Sequence, residues 1–316
     1  MSTRKNLSRI VLLLWITVII AAGGLALVTL NKTGVFSFEI SLTPTKAPSI
    51  TTQPSATASP SPPTITPLPP TPTSIPSNST PELQQPQVIG SSVTGRPLEV
   101  YQFGLGPVEK LIVAGIHGGY EWNTIELADE LIDYLDNYPE VVPPDQTLYI
   151  LRALNPDGLA RSKGFGGRAN ENNVDINRNF PSNWQAEWPR AGCWDYIPIT
   201  GGKAASSEPE TRALISFIQA HDIQALISYH SAALGIFPGG QPPDAGSLSL
   251  AEALAAVSDY PYPPIDAGCV YTGQFVDWAS DQGIPAVDIE LTNHQDSDFE
   301  KNLAILSVFL DWSFSE

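Results

Sequence analysis

Residues 110–121 read KLIVAGIHGGYE, an apolar run that ends in a histidine and, four residues on, a glutamate. Residues 111–116 are apolar, with Ile112, Val113 and Ile116 β-branched, bounded by charge before and by Gly-Gly after, the pattern of a short buried strand. His117 is thereby delivered to the carboxyl end of a sheet, the edge at which open α/β sheets bind ligands. An imidazole and a carboxylate close together on the loop leaving such a strand supply half of a zinc site, whose third protein ligand has to come from elsewhere. The other histidines are His221, His230 and His294.

Outward from this stretch, residues 98–101 alternate like a strand after the turn residues 94–97. Residues 123–138 place Ile125, Ala128, Leu131, Ile132 and Leu135 at helical spacing, with Pro139 closing the run. Residues 147–154 form a second apolar strand that runs into Asn155-Pro156-Asp157-Gly158, a turn by composition. Strand, helix and strand in succession predict an α/β fold: a mixed, mainly parallel sheet flanked by helices.

Residues 224–229 are another strand and again end in a histidine, His230. With His117 and Glu121 it completes a His₂Glu set that leaves a fourth position open for water. Residues 286–291 are a further strand with Glu290 near its carboxyl end among apolar neighbours, where a carboxylate is either a paired core residue or a general base of raised pKa; its place on the same edge as both histidines favours the second. Arg168 and Arg178 lie on irregular backbone, fitting either surface ion pairs or a site that holds a carboxylate or oxyanion. Ser207-Glu208-Pro209-Glu210 is a helix start with Ser at the cap, so both glutamates are expected to be structural, and His221 closes that helix, residues 211–220. Residues 300–314 form an amphipathic helix.

The front of the chain differs. Residues 1–9 carry Arg4, Lys5 and Arg9, and residues 10–30 are uncharged and apolar, about the 20 residues needed to span a bilayer. The expectation is a single-pass anchor with a cytoplasmic N-terminus and everything downstream outside, or a secreted protein should the segment be cleaved as a signal sequence. Residues 31–87, rich in Pro, Thr and Ser from residue 41, are expected to be a disordered stalk. The remaining residues, 88–316, suffice for one domain with a full core. That stretch holds 11 Lys+Arg against 31 Asp+Glu, which argues against nucleic acid as a partner. Cys193 and Cys269 are the only cysteines; they pair if the fold brings them together.

Taken together, the pieces resemble the zinc carboxypeptidase family over residues 88–316. The matching stretches are Gly95-Arg96-Pro97, residues 117–121, Asn155-Pro156-Asp157-Gly158, residues 175–180, residues 207–211, Ser228-Tyr229-His230-Ser231, and Asp277-Trp278 leading to Glu290-Leu291. The resemblance implies one zinc ion on His117, Glu121 and His230, with Glu290 taking the proton from the attacking water. It further implies Arg168 at the oxyanion, and Asn177, Arg178 and Tyr271 on the substrate. Three residues separate His117 from Glu121, where the family commonly has two. Val276, near the place that sets side-chain preference, is uncharged, which points away from a requirement for basic leaving residues. The implied activity is a metallocarboxypeptidase acting on peptides. Two other readings are a peptidoglycan γ-D-glutamyl-diaminopimelate amidase and, from another class, a non-catalytic peptide-binding module on a stalk.

Overall fold

Seven strands pair into one sheet because their alternating residues have apolar partners on both faces. They are β1 (Gln87–Ser91), β2 (Pro97–Gly104), β3 (Val108–Val113), β4 (Gln146–Leu151), β5 (Ile223–Ser231), β6 (Ile236–Pro238) and β7 (Ala286–Leu291), in the spatial order β1-β2-β4-β3-β5-β7-β6. The computed structural model describes residues 85–194, 196–232 and 234–314. The expected anchor at 10–30 and the stalk, up to residue 84, lie outside the described residues. No described helix is long and apolar enough to cross a membrane.

The pairings β4-β3, β3-β5 and β5-β7 are parallel, while β1-β2, β2-β4 and β6-β7 are antiparallel. The sheet is mixed as expected, but parallel pairing is confined to its centre. Of the antiparallel pairs only β1 and β2 are joined by a short reversing connection, whereas the parallel neighbours β3 and β4 are joined through a helical crossover.

Helices α1 (Trp122–Asn137), α2 (Pro156–Arg161), α3 (Pro209–Gln219), α4 (Ala245–Ala255), α5 (Phe275–Asp281) and α6 (Phe299–Asp311) cover the sheet. Ile112, Ile150, Ile227 and Ile289 face one core with Leu131 of α1, Leu250 of α4 and Phe309 of α6. Val113, Leu151, Leu226 and Ala286 face a second core with Leu214 of α3 and Trp278 of α5. Lys110, 2% exposed, donates from Nζ to the carbonyls of Phe309, Leu310 and Trp312 at 2.6, 2.6 and 2.7 Å. It thus closes the C-terminal end of α6, whose last carbonyls have no partner within the helix.

Several boundaries depart from expectation. Asn155-Pro156-Asp157-Gly158 starts α2 instead of forming an isolated turn: Asn155 accepts from the Gly158 amide at 2.8 Å, and proline occupies the first helical position. In α3 the cap is Glu208, not Ser207, and the Ser207 hydroxyl donates to Glu208 at 2.6 Å. Glu208 and Glu210 are buried and both accept from Asn170, which agrees with a structural role. His230 lies within β5 and not just after it. Strand β6 and helix α4 carried no expectation.

Candidate metal centre

Beyond Val113 the chain leaves β3 and turns back at Gly118, whose φ of +46° lies in the region open to glycine. A β-carbon on Gly119 would collide with the Ser162 carbonyl, so the turn packs directly against α2. The extra residue between His117 and Glu121 is taken up here. Glu121 is the cap residue of α1 yet makes no capping bond with its side chain. Its carboxylate is turned to the histidines instead.

Oε1 of Glu121 lies 2.8 Å from His117 Nδ1 and Oε2 lies 3.1 Å from His230 Nδ1, and the two Nδ1 atoms are 3.2 Å apart. Donors about 2.0–2.1 Å from a tetrahedral zinc ion stand about 3.3 Å from one another. The three side chains, all buried, form a possible metal site whose donor atoms lie within 4.8 Å of one another. A pair of imidazole nitrogens and a carboxylate converging at this spacing fits zinc in both chemistry and distance.

Each ring is oriented from behind. His117 Nε2 contacts Asp175 Oδ1 at 3.1 Å, and Asp175 also accepts from Arg168 Nε at 3.0 Å and from the Asn177 amide at 3.0 Å. His230 Nε2 lies 3.0 Å from Ser228 Oγ. Such partners fix which ring nitrogen is free to face a metal. Burial opposes charge on Asp175, but Arg168 and His117 outweigh it and hold its carboxyl well below the usual range. Glu121 is likewise held low against burial, by His117 and His230. Burial disfavours charge on His230, yet Asp288 and Glu121 raise its pKa well above the ordinary value. The field at this point therefore favours a cation.

Glu290 pairs in register with His230 across β5 and β7, so the two side chains leave the sheet side by side. Its Oε2 is buried without a hydrogen-bond partner among the described residues. Burial first, and the nearby Glu121 charge second, push its carboxyl up to about 8. A cavity of about 240 Å³ opens in front of the donors.

Arg168 and Arg178 are buried, which removes the surface ion-pair reading. Arg168 lies 3.5 Å from Glu121 Oε1 and stacks 4.7 Å from the Trp194 ring. Arg178 donates from Nη1 to the Asn177 carbonyl at 2.8 Å, sits 5.5 Å from the Tyr271 ring, and has no partner for Nε among the described residues. Tyr271 and Asn177 reach the cavity wall. The Asn177 side-chain oxygen is already taken by the Phe275 amide at 2.8 Å, so Asn177 also ties the cavity to the start of α5. Val276 packs in the second core with Phe275 and Trp278. His221 is elsewhere, bonded to the Phe217 carbonyl at 2.7 Å.

The site contains residues that the sequence pattern passes over. Asp175 stands in the conspicuous run DINRNF, yet nothing local shows that it reaches His117. Asp288 and Ser228 each precede a site residue by two positions on a strand, so alternation alone puts them on the site face. His294 joins the wall through Ser231 Oγ at 2.9 Å and the Tyr120 ring at 4.6 Å. Cys193 and Cys269 are disulfide-bonded and clamp two cavity loops together.

Compared with known proteins, residues 77–303 match the profile of the family described as zinc carboxypeptidase. Murein peptide amidase A of Escherichia coli (strain K12) is 29% identical over 233 residues, covering 71% of this chain and 88% of that protein. Gamma-D-glutamyl-L-diamino acid endopeptidase 1 of Lysinibacillus sphaericus is 26% identical over 247 residues, covering 64% and 59%. The crystal structure of murein-tripeptide amidase MpaA from Escherichia coli O157 superposes with a TM-score of 0.52 at 24% identity, over 73% of this chain and 94% of that one, a likeness of fold.

Proposed function

The chain belongs to the zinc carboxypeptidase family, and from that footing we propose that it hydrolyses the amide bond to a carboxylate-bearing terminal residue of murein peptides. The observation that carries this reading is the convergence of His117, Glu121 and His230 beside an unpartnered Glu290. The preference for murein over protein peptides is supported by the murein amidase relative, most of whose length this chain spans.

His117, Glu121 and His230 would hold the zinc ion, which would supply the Lewis acidity that makes water nucleophilic at neutral pH. The chain's own groups do the rest. Arg178 offers its free Nε–H to the carboxylate of the leaving residue and so sets the register of the scissile bond. Glu290, whose surroundings keep its proton affinity near neutrality, accepts a proton from the attacking water and passes it to the leaving amine. Arg168, held by Asp175, presents fixed positive charge beside Glu121 to the oxygen that becomes negative in the transition state. Tyr271 and Asn177 line the substrate side, and Tyr120 with Trp194 keeps bulk water from the opposite wall. A binding module without catalysis leaves the buried, unpartnered Glu290 Oε2 beside the donor set without a role.

We place the domain outside the cytoplasmic membrane, carried on the stalk by the segment at residues 10–30. The Cys193–Cys269 disulfide supports an oxidising compartment.

The test is release of the terminal residue from a murein tripeptide and from N-blocked protein dipeptides by the zinc-loaded protein, with and without chelator. Chelator-sensitive release, faster on the murein peptide, is the expected result. If the zinc-loaded protein leaves both substrates intact, the hydrolytic reading is lost; faster release from protein dipeptides overturns the murein assignment.

A further inference from the structure

His294 lies on the turn just beyond β7, half-buried in the cavity wall, and its neighbours fix which ring nitrogen carries the proton. The side-chain amide of Asn123 faces two carbonyls, those of Asn293 at 2.7 Å and Asp296 at 3.0 Å. Carbonyls only accept, so the Asn123 nitrogen points to them and its oxygen points to Ser231. Ser231 Oγ, 3.0 Å from that oxygen, therefore spends its hydrogen on Asn123. The 2.9 Å contact between Ser231 Oγ and His294 Nδ1 is then a bond in which the ring donates. An ordinary imidazole is mostly neutral at pH 7. Burial lowers the pKa of this ring further, and Arg168 and His117 add to the effect against Glu121. Nε2 is thus left with a lone pair, and no described residue bonds to it.

The turn that carries this acceptor is held on both sides. Asn293 Oδ1 accepts from the Gln295 and Asp296 amides at 2.6 and 2.8 Å, and the Thr292 amide donates to Asp298 at 2.7 Å. An acceptor fixed in this way engages a ligand with little ordering cost. Its surroundings select the donor. The His294 ring lies 4.6 Å from Tyr120, Tyr120 lies 4.5 Å from Trp194, and Arg168 lies over Trp194 at 4.7 Å. The fixed positive charge of Arg168 disfavours an ammonium here, while aromatic faces suit a flat, neutral group, so the donor that fits is the N–H of an amide. Arg178 stands against Tyr271 instead. With the leaving residue's carboxylate on Arg178, the acyl part of the substrate runs along the side of His294.

We propose that His294 is a specificity residue for the acyl side of the substrate, its Nε2 accepting the N–H of the amide that precedes the scissile bond. Asn123 and Ser231 are the positioning residues that hold its tautomer. In a murein tripeptide the amide so recognised is the one between alanine and D-glutamate. This rests on the hydrolytic reading above and adds to it the group recognised on the far side of the cleaved bond.

The test uses zinc-loaded full-length protein, a murein tripeptide, and its analogue with D-2-hydroxyglutarate in place of D-glutamate, which puts an ester oxygen where the N–H was and leaves the scissile bond unchanged. Wild type should favour the amide over the ester in kcat/KM by about ten-fold, the worth of one neutral hydrogen bond at a half-buried site. His294→Phe keeps a ring over Tyr120 and removes the acceptor. It should slow the amide substrate to the rate of the ester, bringing the ratio to within about two-fold of one, with zinc affinity retained. His294→Met replaces it should the phenylalanine variant fail to fold. Equal use of amide and ester by wild type overturns the proposal, as does a variant that keeps the wild-type ratio. An equal loss on both substrates with weakened zinc binding also overturns it, and would make His294 a support for the end of β5. Faster hydrolysis of the dipeptide lacking alanine, whose glutamate nitrogen is a free ammonium, refutes the choice of an amide. Should wild type hydrolyse none of them, the hydrolytic reading fails by itself. Calorimetric binding of the tripeptide against its ester analogue, to wild type and His294→Phe, then decides His294 separately.

Discussion

Replacing Asp175 by asparagine tests the support behind the metal centre. In the wild type Oδ1 accepts from the Asn177 amide and faces His117 Nε2, while Oδ2 accepts from Arg168 Nε. An asparagine supplies one acceptor oxygen; wherever it is placed, its NH₂ faces another donor, and the fully buried site gives neither group a way out. With the oxygen towards His117, the amide nitrogen meets Arg168 Nε at 3.0 Å. Breaking a buried ion pair from one side costs about 3–5 kcal/mol. Arg168 keeps its 3.5 Å contact with Glu121 and its stacking on Trp194, so the lower end applies. About 3 kcal/mol corresponds to a fall in Tm of roughly 6–12 °C for a domain of this size. Loss of the group that orients a histidine ligand weakens metal affinity by about 10–100-fold. Calorimetric unfolding of the zinc-free and zinc-loaded protein, with zinc competition against a chromogenic chelator, measures both effects. The internal control is Asp129→Asn: the Arg152–Asp129 pair is part-exposed and should cost less than about 1 kcal/mol. If Asp175→Asn behaves like that control and binds zinc as wild type does, the orienting role assigned to Asp175 is wrong.

Glu290→Gln should lower kcat by about 10²–10⁴-fold with zinc stoichiometry intact, read by single-turnover kinetics alongside metal analysis; wild-type turnover would remove Glu290 from the base role. Chelation should abolish hydrolysis and cost about 2.7 kcal/mol of stability relative to protein held at 100 times the zinc Kd, seen as a zinc-dependent Tm. Cys193→Ser with Cys269→Ser opens a loop with a sequence separation of 76 and should cost about 4 kcal/mol, with KM raised because both residues line the cavity; denaturant melts and substrate titration check the two parts. Lys110→Met leaves the carbonyls of Phe309, Leu310 and Trp312 without their donor and should destabilise by about 1–3 kcal/mol without altering zinc affinity.

The strand-to-histidine stretch at residues 110–121, its counterpart ending at His230 and the strand carrying Glu290 were legible because each is a local pattern. An apolar run of strand length, with a polar residue at its carboxyl end, carries its own placement in a sheet. The helix at Trp122–Asn137 was legible for the same reason, from its spacing and the following proline. Helix α4 was not, because its apolar and small residues form no clear stripe: Leu250, Ala251 and Leu254 are buried where the helix packs on β6 and α6, which sequence periodicity does not encode.

By itself the sequence determined the donor types, the strands that carry them and the α/β class, since these depend on residue chemistry and on neighbours a few positions away. Tertiary structure decided the rest: that Cys193 meets Cys269, that Asp175 stands behind His117, that the turn at Gly118 and Gly119 brings Glu121 back to its histidine, and that Asp288 comes within 3.3 Å of the His230 ring. Those facts depend on which distant loops close over the sheet edge, and a contact across such chain distances is chosen by the packing of the whole domain, with no periodic trace in either segment.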